Sequence, residues 1–225
     1  MDLSHIVTDK NGLEIGGPSS AFRDSGIYKN IASLDNVVFA QQTVWAQFID
    51  KSYNFFPGKS GKVFEMDAVD LSTIPNESYD LLMSSHNLEH IANPLKAFKE
   101  WIRVVKKEGH IILILPEKSV CFDHKRNYTQ FWVILDKFQR NIGEDNLESL
   151  PEILRLHDLL LDSPAGNFEQ FTRRSLDNFK NRCLHHHVFN KDLVQSMCDF
   201  CNVKLISNHI NGLDMWFLIQ CVRVR

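Results

Sequence analysis

The feature that most restricts how this chain can fold is a pair of apolar runs, YDLLMSS (79–85) and HIILILP (110–116), with a helix signal between them. Apolar runs without alternation suit strands covered on both faces. Between them, Asn93 has the chemistry of an N-cap and Pro94 that of a first helical position. Leu95, Phe98, Ile102 and Val105 recur at helical spacing, Lys106 and Lys107 fall in the expected last turn, and Gly109 is the expected stop. Strand, helix and strand joined this closely imply a crossover unit, hence a parallel sheet.

The pattern extends both ways. Upstream, LEI (13–15) and KVFEMDAV (62–69) read as strands, and PNES (75–78) as a turn. Downstream, KDLVQSMCDFC (191–201) reads as a helix capped by Asn190, with Leu193, Met197 and Cys201 on one face. VKLISNHI and MWFLIQCVRV, joined by NGLD, read as an antiparallel hairpin. The expected fold is α/β: one domain over residues 1–225, with a Rossmann-like, mostly parallel sheet closed by that hairpin. Residues 117–187 interrupt it with polar, irregular, helix-rich sequence holding five of the ten histidines. They follow a strand's carboxyl end, where open α/β sheets bind ligands, so they read as a helical cap inserted after the fifth strand.

Composition narrows the function classes. A formal net charge of -3 opposes general affinity for nucleic acid. No apolar run approaches the ~20 residues of a membrane helix, and the start lacks a secretory pattern. Five scattered cysteines suit a reducing cytoplasm rather than a disulfide framework. The expected partner is a small molecule, with no nucleic acid and no membrane; a homodimer is left open.

The segment DLSTIPNESYDLLMSSHNLEHIANPLKAFKEWIRVVKKEGHIILILP (70–116) resembles the methyltransferase type 11 group of class I S-adenosylmethionine-dependent methyltransferases. The resemblance covers about residues 12–116 and, less closely, about the last 35 residues. It implies S-adenosylmethionine as cofactor. NGLEIGGPSS (11–20) then matches the family's acid–x–Gly turn: Gly16 and Gly17 would let the backbone pass under the cofactor, while Glu14 would orient the turn or meet the methionyl amine. Pro18 stands where the usual motif has its next glycine. Asp67, followed by Ala68, would accept a hydrogen bond from the adenine amino group; the plainer alternative is a turn-forming aspartate. The acid that grips the ribose at the end of the family's second strand is missing. NVVFA (36–40) ends without one, Asp35 precedes it, and Gln41 follows. A methyltransferase fold serving as a non-catalytic binding module is therefore a second reading.

Methyl transfer to oxygen needs alignment of donor and acceptor and a base titrating near neutrality. SSHNLEH (84–90) places Ser85, His86, Glu89 and His90 at a strand's carboxyl end. Ser85 is expected beside the cofactor and His86 and His90 at the catalytic centre, with bracing of the next helix as the alternative. DHKR (123–126) offers His124 as a further base, and Asp123, Lys125 and Arg126 as acceptor contacts; a solvated loop is the alternative. With Arg173, Arg174, Lys180 and Arg182, these cations hint at an anionic acceptor such as a nucleotide-linked sugar. Of His185, His186 and His187, His186 is taken for the acceptor pocket. No metal is expected, since adjacent histidines point apart and Cys198 and Cys201 lie in an amphipathic helix.

Overall fold

The computed structural model describes residues 3–40 and 52–222. Among the described residues, eight strands form one sheet: β1 (Asn11–Ile15), β2 (Ser33–Val38), β3 (Ser52–Phe56), β4 (Lys59–Glu65), β5 (Tyr79–Ser85), β6 (Val105–Pro116), β7 (Lys204–Asn211) and β8 (Asp214–Gln220). Their order is β3-β4-β2-β1-β5-β6-β8-β7. From β4 to β6 every neighbour is parallel, and β8 pairs antiparallel with both β6 and β7. The chain leaves β1 towards β2 on one side and returns to β5 on the other. That reversal opens a crevice above the carboxyl ends of β1 and β5.

Short helices α1 (Ser4–Val7), α2 (Ser20–Asp24) and α3 (Ile27–Asn30) lie towards one face, and α4 (Pro94–Val104) towards the other. The cap carries α5 (Phe131–Gln139), α6 (Leu150–Leu156), α7 (Phe168–Leu176) and α8 (Asn178–Asn181); α9 (Lys191–Phe200) follows it. Strand β6 shows why its sequence does not alternate. Ile111, Leu113 and Leu115 pack with α4 and α9, whereas Ile112 and Ile114 pack with Phe22, Tyr28 and Trp216 on the opposite face. A smaller cluster, including Leu150, Ile153, Phe171 and Leu184, holds the cap together.

Three expectations change. Helix α4 begins as read, with Asn93 accepting from Lys96 N–H, but it ends at Val104. The amides of Glu77 and Ser78 take the carbonyls of Arg103 and Val104, and Val105 pairs with Tyr79, so Lys106 and Lys107 begin β6. Gly109 is accordingly a point of close approach, where a Cβ would come within 2.7 Å of Asp80 O. Strand β3 was not anticipated. It forms a hairpin with β4 through Pro57 and Gly58, which has φ +75°, and so the cap follows the sixth strand. Gln41 lies outside the described residues. No described helix is long and apolar enough to cross a membrane.

Candidate functional site

A cavity of about 540 Å³ opens above the carboxyl ends of the central strands, well inside the ~300–1,000 Å³ of small-molecule sites. Its floor begins where β1 turns. Gly16 adopts φ +74°, and a Cβ there would come within 2.2 Å of Asn87 Oδ1. Asn87 Nδ2 donates to Ile15 O and Ser85 O, tying the ends of β1 and β5 together. Gly17 is locked by a reciprocal pair with Asn36, its N–H donating to Oδ1 and its carbonyl accepting from Nδ2, each at 3.0 Å. Both glycines are thus required by the protein's own packing.

Glu14 lies under this turn and does not line the cavity. It is fully buried and accepts from the Tyr28 hydroxyl at 2.9 Å and the Tyr53 hydroxyl at 2.5 Å. Burial pushes its pKa up to about 7, although the two tyrosines hold it down. A Cβ on Gly17 would strike this group, 2.3 Å from the Tyr53 hydroxyl. Glu14 and Gly17 therefore shape the turn from below, and of the two roles considered for Glu14 the geometry allows turn orientation, not contact with a ligand amine.

Gly16, Asp67, Ala68 and Ser85 do line the cavity, beside Val38, Phe39 and Met66. Trp101 of α4 fixes this rim by donating its indole N–H to Ala68 O. Apolar walls and a carboxylate fit an adenine. Among the described residues no acid directly follows β2, which runs out in Val38 and Phe39, and Asp35 is engaged by Tyr79 and the Lys62 amide. Asp67 is itself engaged. Its Oδ1 accepts from Val69 N–H and its Oδ2 from Arg182 Nη2 at 3.0 Å. Arg182, reaching in from the cap, also contacts Glu144 at 3.2 Å and lies 4.0 Å above the Phe39 ring.

The other end of the cavity is built from His86, Glu89, His90, Phe122 and His185. His86 has φ +52° and places Nε2 2.9 Å from Asp214 and Nδ1 3.6 Å from Glu89. Burial opposes its charge, but these carboxylates carry its pKa up to about 10. The two carboxylates thus favour the charged form of His86, the form that donates rather than accepts a proton. His90, in the same turn, is pushed down to about 3 by burial, with His185 adding to the effect.

The remaining expected residues do not reach the wall. His124 and Lys125 both contact Asp158 Oδ2 at 2.8 Å. Asp123 and Arg126 are buried against each other at 2.9 Å; burial opposes the Asp123 charge, yet His185 and Arg126 bring its pKa down to about 2. His186 is buried beside Asn178 and pushed down to about 3 by that burial. The residue the structure brings into the cavity is its neighbour His185, whose Nδ1 faces Asp123 Oδ2. The only signal separating the two in sequence is the alternation of side chains along extended backbone. The cations expected to attract an anion each have an acid: Lys125 has Asp158, Arg126 has Asp123, Arg173 has Glu169, Arg174 has Asp162, Lys180 has Asp177, and Arg182 has Asp67. Each of these cations is thus already engaged by an acid of the chain itself.

The domain family described as "Methyltransferase domain" (type 11) matches residues 20–113, from α2 into β6. Over 141 residues the chain is 28% identical to the chloroplastic 2-methyl-6-phytyl-1,4-hydroquinone methyltransferase of Arabidopsis thaliana, a match spanning 63% of this chain and 39% of that protein. Among solved structures, a methyltransferase of Methanosarcina mazei superposes with TM-score 0.55 at 14% identity, over 98% of this chain and 96% of that one. A methyltransferase of Aquifex aeolicus does so with TM-score 0.53 at 10% identity, over 97% and 86%. Strand order, crevice and these likenesses agree, and the chain has the class I S-adenosylmethionine-dependent methyltransferase fold in its type 11-like form.

Proposed function

We propose that this protein transfers the methyl group of S-adenosylmethionine to a hydroxyl of a small polar acceptor, with sugars and nucleotide-linked sugars as the first class to try. One observation carries the reading. A single cavity joins the nucleoside end of the fold, at Gly16, Asp67, Ala68 and Ser85, to a second end walled by Glu89, His90 and His185. The adenine would lie between Phe39, Met66 and Asp67, and the methionyl part would run over Gly16 towards Ser19 and Ser20. Bound there, the cofactor supplies an electrophilic methyl carbon. The protein's part is to hold the acceptor oxygen in line with it and to accommodate the departing proton beside Glu89, His90 and His185. Residues 117–187 act as the cap, contributing Phe122, Arg182 and His185 to the wall. The Arabidopsis relative is named for a hydroquinone, which supports a small-molecule acceptor.

A second reading, binding without transfer, is favoured by the end of β2 and by the Arg182–Asp67 pair. Calorimetric titration with S-adenosylmethionine and S-adenosylhomocysteine, on the natural protein and on a folded Gly16→Arg variant, decides between them. Saturable binding that the variant loses, with labelled methyl passing to a polyol, supports transfer. Absence of binding at millimolar ligand would refute it and leave the binding-module reading.

A further inference from the structure

Glu89 is a buried carboxylate whose contact with His86 is long. It is fully buried, yet neither oxygen has a hydrogen-bond partner, and the nearest cationic group is His86 at 3.6 Å. An ionised carboxylate in that condition costs several kcal/mol. It faces the cavity beside two imidazoles, and one ligand atom from each of Glu89, His90 and His185 lies within 4.8 Å of the other two.

We propose that Glu89, His90 and His185 bind one divalent transition ion of the zinc type, and that this ion receives the acceptor hydroxyl. The proposal departs from the sequence expectation of no metal, and it rests on reading this wall as the acceptor's. Two imidazoles and one carboxylate, with a further position open to the cavity, are the donor set of catalytic zinc. Ligand bonds of roughly 2.0–2.2 Å place the donor atoms about 3.4 Å apart, so the shell closes by about an ångström on binding. The surroundings are already those of a metal ligand. His185 directs Nδ1 at Asp123, which leaves Nε2 for the ion and fixes the ring, and Asp123 is held in turn by Arg126. The ion does not change valence. The acceptor hydroxyl, made more acidic, gives its proton to water; its oxygen lone pair forms the bond to the methyl carbon; the carbon–sulfur pair returns to sulfur as the thioether.

The test is made on full-length protein freed of metal by chelator, titrated with Zn²⁺ by calorimetry and with Co²⁺ by absorption. One equivalent is expected, with a cobalt spectrum lacking the thiolate charge-transfer band that Cys198 and Cys201 would give. Glu89→Gln and His185→Gln should each weaken Zn²⁺ by about a hundredfold or more, with the metal-free melting temperature of Glu89→Gln at or above that of the natural protein. No saturable site, a thiolate band, or unchanged affinity in both variants overturns the proposal; if Glu89→Gln does not fold, His185→Gln and the cobalt spectrum still decide. Titrating the same metal-free samples with S-adenosylhomocysteine separates the failures. Nucleoside binding without a metal site sinks the ion and leaves methyl transfer standing, whereas failure of both sinks both.

Discussion

Glu14 and Glu89 are both fully buried, both near the carboxyl ends of central strands, and have opposite surroundings. Glu14 accepts from the hydroxyls of Tyr28 and Tyr53, and burial raises its pKa to about 7. Glu89 has only a long contact, 3.6 Å, to His86; burial acts to raise its pKa too, but His86 above all, with His90 and His185, brings it below the ordinary value. The chain completes the first carboxylate with its own side chains and leaves the second to something that enters the cavity. Burial alone therefore does not mark a functional acid. What marks it is burial with only a long contact to its partner, on a wall that a ligand can reach.

Removing Glu14 is the largest way to break this contrast. In Glu14→Ala two buried tyrosine hydroxyls lose their acceptor and the turn loses its brace, so stability should fall by roughly 3–5 kcal/mol in denaturant unfolding. A loss under about 1 kcal/mol would mean that the tyrosines find other partners and that Glu14 does not hold the floor together.

A smaller effect comes from pH. The folded pKa of Glu14, about 7, lies above its ordinary 4.5. Folded protein thus holds this proton over a range where the unfolded chain has released it. The associated stability is fully present below pH 4.5 and is lost as pH rises through 7, by about 3 kcal/mol in all. The difference in unfolding free energy between the natural protein and Glu14→Gln should follow that curve; a difference flat from pH 4.5 to 7.5 would remove the claim that Glu14 is partly protonated at neutrality.

The two halves of the molecule were unequally legible in sequence. Strand β5, the Asn93 and Asn190 caps and the β7–β8 hairpin follow from local chemistry, because each signal and the group that answers it lie within a few residues. The end of α4 does not, because it is decided by amides of Glu77 and Ser78 from before β5. Gly16, Asp67, Ala68 and Ser85, which line the cavity, could be read together because a strand's end and the turn after it are contiguous. At the acceptor end the wall joins Glu89 and His90 to His185, nearly a hundred positions later, and the choice of His185 over His186 depends on which way the cap's backbone presents one residue. Likewise the charge of His86 depends on Asp214, 128 positions away. Long-range pairs of this kind leave no spacing to read.

Arg182 is where the halves meet, and its removal gives the smallest and most discriminating effect. The guanidinium contacts Asp67 and Glu144 and lies over Phe39, so it occupies the surfaces an adenine would use. For a nucleoside to reach Asp67, this side chain must swing aside, which leaves Glu144 to Ala92 N–H and exchanges one partner of Asp67 for another. An affinity measured on the natural protein is then reduced by the fraction of molecules already open. Arg182→Ala should tighten S-adenosylhomocysteine binding by about fivefold to tenfold, close to 1 kcal/mol. Weaker binding would give the opposite geometry, with Arg182 stacking on the adenine as it now does on Phe39. In that case the cap completes the cofactor site instead of closing it, and the missing ribose acid is offset from the cap side.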